Sequence, residues 1–334
     1  MALFSRRGKP EDAQPAESDA TVAPDEATRS DPDAAAPPAE KVPEVGISIS
    51  TFGAPPAATT RPVTPTRPAA PAQGDGAPAG PPQNAPLKAA LAALPARPQP
   101  ADVMNVMRQA LQGSLFLRAK GDAKALIEAG QPLTLAVTMI EDKRVLLAFS
   151  GVEALQESLR GDGDTQTSAV SQPVQAVFRQ VLDGSYAGLF LDHATEGARL
   201  ILPAELIAKA VEEADPELTL KNLLAAQRTD ETVERIVAEL TRVKLWVAGN
   251  TDESGRMGIA EARSADGRRR LEVFSHPLEV IALGRGDRPL PVTAAQFAKA
   301  LASDDGISGI VVDPAGPWIE ITRDRLGALL ALAD

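Results

Sequence analysis

The chain has 334 residues, no cysteine, a formal net charge of −11 and a sequence pI near 4.9. The missing cysteines exclude disulfides, thiolate nucleophiles and Cys-ligated zinc. The acidic balance argues against a nucleic-acid partner, because gripping phosphates takes a basic face.

From the N-terminus, twenty of the 29 prolines precede residue 101, among Ala, Asp, Glu, Ser and Thr with few large apolar side chains. Such a stretch buries too little surface to offset a backbone ordering cost of about 1–2 kcal/mol per residue. Residues 1–85 are therefore expected to be a disordered Pro/Ala-rich tail. Leu3, Phe4, Arg6, Arg7 and Lys9 read as a solvated terminus, with no apolar stretch behind them to make a secretory signal. Residues 45–52, Val-Gly-Ile-Ser-Ile-Ser-Thr-Phe, alternate like a strand that could join a sheet edge, and residues 60–68 read as a polyproline-like spacer. No apolar run reaches the roughly 18 residues of a spanning helix, so a cytoplasmic protein without stable membrane insertion is expected.

From residue 86 the chain matches itself in order, with a slowly shrinking offset. Leu87-Lys88 matches Leu220-Lys221, each pair opening a short helical pattern. Val103, Val106, Met107 and Ala110 match Val233, Ile236, Val237 and Leu240 on one apolar helix face. Ser114-Leu-Phe-Leu matches Lys244-Leu-Trp-Val as a strand. Phe149-Ser150 matches Phe274-Ser275 at the end of another, where Ser150 with Glu153, and Ser275 with Pro277, have the spacing of helix caps. Residues 289–293 are extended, and Thr293 with Gln296 opens a helix in which Phe297 pairs with Phe178. Residues 188–192 match 309–313 as apolar strands ending in Asp, each turning back through a second strand as a hairpin. Ile207, Ala210 and Val211 match Leu326, Leu329 and Leu330 on a closing helix. Two copies follow, 86–213 and 214–334. Their elements lack strict βαβ alternation, so the fold class is α+β with a mixed sheet in each copy.

The second copy carries Lys244-Leu-Trp-Val, Leu271-Glu-Val-Phe-Ser-His-Pro, Gly309-Ile-Val-Val-Asp-Pro and Ile319-Glu-Ile-Thr, and in that order they resemble the SseB N-terminal domain. The resemblance covers residues 86–334 in two passes. It implies a bacterial protein of a family named for a link to serine sensitivity, with no established catalytic residue to carry over.

No motif demands chemistry. His193 and His276 occupy positions that do not match between the copies, and neither has partners at metal-ligand or acid–base spacing. Residues 161–164 and 284–287, rich in Gly and Asp, read as flexible linkers, and Arg268-Arg269-Arg270 reads as a charged turn. The most distinctive surface feature is Asp313-Pro314-Ala-Gly316-Pro317 beside Trp318, with Asp192 and His193 as its first-copy counterpart. Two readings of it stand: a rigid recognition edge, or a hairpin turn whose tryptophan fills the core. The sequence points to a non-enzymatic interaction or regulatory module with a protein partner, without cofactor or metal. The alternative is an enzyme or accessory subunit holding a small metabolite between the copies.

Overall fold

The computed structural model describes residues 84–163, 166–251, 257–263 and 267–334, all within the unit Gly46–Asp334. The tail, its 45–52 island, the 60–68 spacer and the basic terminus lie outside the described residues.

The first copy opens with α1 (Ala85–Ala92), whose cap Asn84 accepts a hydrogen bond from the Leu87 amide, and α2 (Pro100–Ala110). Then come β1 (Ser114–Lys120), α3 (Ala123–Glu128), β2 (Val137–Ile140), β3 (Lys143–Ala148) and α4 (Val152–Asp162). The copy closes with β4 (Thr167–Pro173), α5 (Val174–Asp183), the hairpin β5 (Gly188–Leu191) and β6 (Leu200–Pro203), and α6 (Ala204–Glu213). Strands β1 and β4 form an antiparallel pair, and the larger sheet runs β2-β3-β5-β6 with β3 and β5 parallel. The sheet is therefore mixed, as the irregular element order implies.

The second copy repeats this plan. It has α7 (Thr219–Ala225), α8 (Thr232–Leu240), β7 (Leu245–Thr251), β8 (Met257–Ile259), β9 (Glu261–Arg263), β10 (Arg269–Val273) and α9 (Pro277–Ala282). After these come β11 (Arg288–Val292), α10 (Ala294–Ala302), β12 (Ile307–Val312), β13 (Ile319–Thr322), a 3-10 turn at Arg323–Arg325 and α11 (Gly327–Leu330). Its sheets run β11-β7-β8 and β13-β12-β10-β9, again with one parallel pair, β10 and β12. The extended piece at 289–293 falls on β11, paired with β7 as β4 is with β1.

Fine details repeat as well. Ala136 donates to Arg118 O and accepts from Leu147 N, and Ala260 does the same with Ala248 O and Glu272 N, so one residue stitches the two sheets of each copy together. Gly188 and Gly309 occupy the same place opposite the hairpin partner. A Cβ would lie 2.4 Å from Leu202 O in one and 2.2 Å from Ile321 O in the other, which only glycine avoids. Each copy has its own core, centred on Leu87, Met107, Phe178 and Leu189 in one and on Leu220, Val237, Phe297 and Ile310 in the other. Each buried Leu or Phe contributes about 1.5–3 kcal/mol.

Three readings need correction. The buried stripes Val174, Val177, Phe178, Val181 of α5 and Ala294, Phe297, Ala298, Leu301 of α10 superpose when both helices start together. Phe178 thus corresponds to Ala298 and Val177 to Phe297, neighbouring places on one face. Arg269 and Arg270 lie in β10 and not in a turn. Arg269 pairs with Glu261 and Asp304, and Arg270 with Glu320, so the strand carries its charges by matching them across the sheet. The Gly/Asp stretches are more than linkers, since Asp162 ends α4 bonded to Arg118, and Arg285 pairs with Glu272 and Asp287.

Candidate functional site

Each copy builds the same Ser–Asp clamp. The aspartate that ends β5 or β12 turns into the left-handed region, with φ of 47° at both Asp192 and Asp313, a conformation that Asp tolerates better than most residues. Its amide bonds back to the parallel neighbour, at Ala148 O or Val273 O. Its carboxylate then spans the start of the following helix. Ser150 gives its N–H (2.7 Å) and hydroxyl (2.5 Å) to the two oxygens of Asp192, and Ser275 does so to Asp313 at 2.8 and 2.5 Å. Both serines are therefore engaged away from the helix ends they were expected to cap. Gly151 precedes α4 without a side-chain cap, and His276 caps α9 by accepting the Leu278 amide on Nδ1.

In the second copy the clamp is buried at the seam with the first. Asp313 is 1% exposed, Glu279 0%, Lys221 3%, His276 2% and Arg108 6%. Glu279 binds Lys221 with one oxygen and Arg108, from the first copy, with the other at 2.9 Å. The same Arg108 nitrogen donates to Gly316 O at 2.9 Å, and Lys221 Nζ stands 3.9 Å from Asp313. With Nδ1 accepting, His276 carries its proton on Nε2, 3.0 Å from Ala210 O of the first copy. Burial first, then Lys221, pushes the His276 pKa down to about 4. Burial and the Glu279 charge push Asp313 up to about 7. Leu278 lies in the core of the first copy, and Asn222 accepts the Gly113 amide at 2.8 Å. The seam thus joins an apolar plug to a buried network of two cations and two carboxyls.

The first-copy clamp is itself buried, but the charged pair beside it lies at the surface. Lys88, the counterpart of Lys221, pairs with Glu153 at 3.2 Å with both side chains at least half exposed. Asp192 is buried, and burial raises its pKa. His193 packs between Phe149 and Phe190, with ring centroids 5.7 and 5.9 Å away, and burial lowers its pKa. Beside it Thr195 donates to Glu157 at 2.7 Å.

Of the residues singled out in the sequence, Asp313 and Gly316 sit in the seam, and Asp192 and His193 at the first-copy counterpart. Pro314, Pro317 and Trp318 are half-buried on the turn, with Trp318 O accepting from Arg228 at 3.0 Å. Sequence reasoning did not single out Arg108 or Glu279 at all, and met Lys221 only as part of a match. Glu279 had a signal, as the lone charge in the apolar run Leu278-Glu-Val-Ile-Ala. Among the described residues no group of three or more His, Asp or Glu is arranged to hold a metal ion, and no helix is long and apolar enough to cross a membrane.

The family model of the SseB protein N-terminal domain matches the chain twice, over residues 87–208 and 220–328. No curated protein and no solved structure matches the chain.

Proposed function

Because the chain belongs to the SseB family through two copies of its N-terminal domain, we propose that it is a non-enzymatic interaction or regulatory module. The observation that carries this reading is the seam. Of the buried groups best suited to proton transfer, Glu279 and His276 bond across the seam to Arg108 and Ala210 O, and Asp313 is taken up by Ser275 beside them. The result is one platform whose outer faces are available to a protein partner.

The alternative places a metabolite between the copies, and that space is occupied by Leu278, Arg108, Glu279 and His276. The proposal puts the protein in a bacterial cytoplasm, acting in the serine-linked physiology after which the family is named. Tagged full-length chain in its native cells should retain a protein partner at fixed stoichiometry through size-exclusion chromatography. A panel of metabolites including serine should leave its melting temperature unchanged. A metabolite that raises the melting temperature and is turned over would refute the non-enzymatic reading.

A further inference from the structure

The seam is heterologous: the trailing face of the first copy meets the leading face of the second, and the two surfaces differ. Such a contact leaves each surface once without its mate. On the first copy the trailing face is covered by the chain itself, through residues 214–222. Arg179 donates to Glu217 at 2.7 Å, Asn222 takes the Gly113 amide, and Leu218 is buried in the first core. An acidic Asp-Pro-Glu-Leu turn thus lies over the junction of α2, β1 and α5.

On the second copy the corresponding junction, of α8, β7 and α10, is open. It forms a cleft of about 620 Å³ between residues 241–244 and 291–296, closed at one side by Leu332. Its floor is apolar, with Val243, Val292 and Ala294, and Arg242 and Lys244 line it where the first copy has Gln112 and Ser114. Lys299 occupies the helical position of Arg179, the cation that holds Glu217, and is exposed. Arg242 pairs with Glu239 at 3.7 Å and Lys244 with Glu213 at 3.1 Å, both partly exposed carboxylates, and Lys244 also lies 4.5 Å over the Trp246 ring. Ion pairs that exposed are weak and exchange readily for another carboxylate.

We propose that this cleft docks an acidic, leucine-bearing segment of a partner protein, of the same chemistry as the turn that covers its twin. This rests on the interaction-module reading and names the surface and the kind of partner. Val243 N is already bonded to Glu239 O. Recognition therefore rests on carboxylates meeting Arg242, Lys244 and Lys299 and on the leucine entering the apolar floor, and not on a copy of the Asn222 bond.

The probe is the capped peptide Glu-Ala-Asp-Pro-Glu-Leu-Thr-Leu, titrated into the isotope-labelled full chain and followed by amide chemical shifts. Shifts should concentrate at 241–244 and 291–299, and Arg242→Glu with Lys244→Glu should weaken binding at least tenfold. Exchanging the first peptide leucine for alanine should do the same, while Lys88→Glu on the first copy should leave affinity unchanged. Saturation without shifts in the cleft, or affinity indifferent to the charge reversals, would overturn the proposal. If the doubly reversed protein still retains a stoichiometric partner from its cells, the cleft assignment falls and the interaction-module reading stands. If the parent chain neither binds the peptide nor retains a stoichiometric partner, both readings fall.

Discussion

The two Ser–Asp clamps have the same backbone, the same hydrogen bonds and the same burial, yet the charges beside one are sealed against a neighbouring domain and those beside the other face water. The difference lies in a few side chains around them. Leu278 and Glu279 of the second copy stand where the first has Glu153 and Ala154, and Arg108 of the first stands where the second has Ala238. An apolar plug and a carboxylate aimed at two cations make a seam, whereas an exposed Lys–Glu pair makes a solvated surface. Duplication thus supplied two equal scaffolds, and changes at a handful of positions decided which face is covered.

Breaking the buried side of this comparison should cost most. Glu279→Ala leaves Arg108 and Lys221 buried without their shared partner and should destabilise the protein by about 3–5 kcal/mol, whereas Glu153→Ala, which removes an exposed pair, should change stability by less than about 0.5 kcal/mol. Chemical denaturation of the two variants side by side reads this directly.

A smaller effect sharpens the comparison through pH. Asp313 binds its proton more tightly when folded, so it favours the folded state at low pH and loses that contribution as pH rises from its unfolded value near 4 to about 7. His276 acts oppositely: its folded pKa of about 4 means that stability is lost as pH falls from about 6.5 to 4. Between pH 4 and 6.5 the two slopes oppose each other. Asp313→Asn, which keeps a residue tolerant of φ near 47°, should therefore gain stability relative to the parent as pH rises through that window. Denaturation midpoints at pH 4.5, 5.5, 6.5 and 7.5 check this, and a constant difference between the two proteins would contradict it. Asp192→Asn should show the same sign, since burial raises that carboxyl too.

Much of the fold was legible because duplicated core positions keep their spacing: Leu87 with Leu220, Val106 with Ile236 and Leu189 with Ile310 are buried pairs that one sequence can show against itself. The Phe-Ser and Asp signals were each visible, but their union was not. The parallel pairing of β3 with β5 brings together residues 42 positions apart, and nothing local announces it. Ser150 therefore looked like a helix cap when its hydroxyl serves Asp192. The Phe178–Phe297 match misled for a different reason, because a phenylalanine fills either of two adjacent places on a buried helix face equally well. The seam was the least legible part, since its charges come from α2, α7, α9 and the end of β12 and acquire meaning only when the two copies meet.

The central claim is that the buried network makes the two copies one body. The chain has no cysteine, so spin labels can be placed at Lys124→Cys in the first copy and Lys299→Cys in the second without interference. Pulsed dipolar spectroscopy should give one narrow distance distribution for the parent, and a broad one once Glu279→Ala is added. A broad distribution already in the parent would show copies that move independently and would contradict the account.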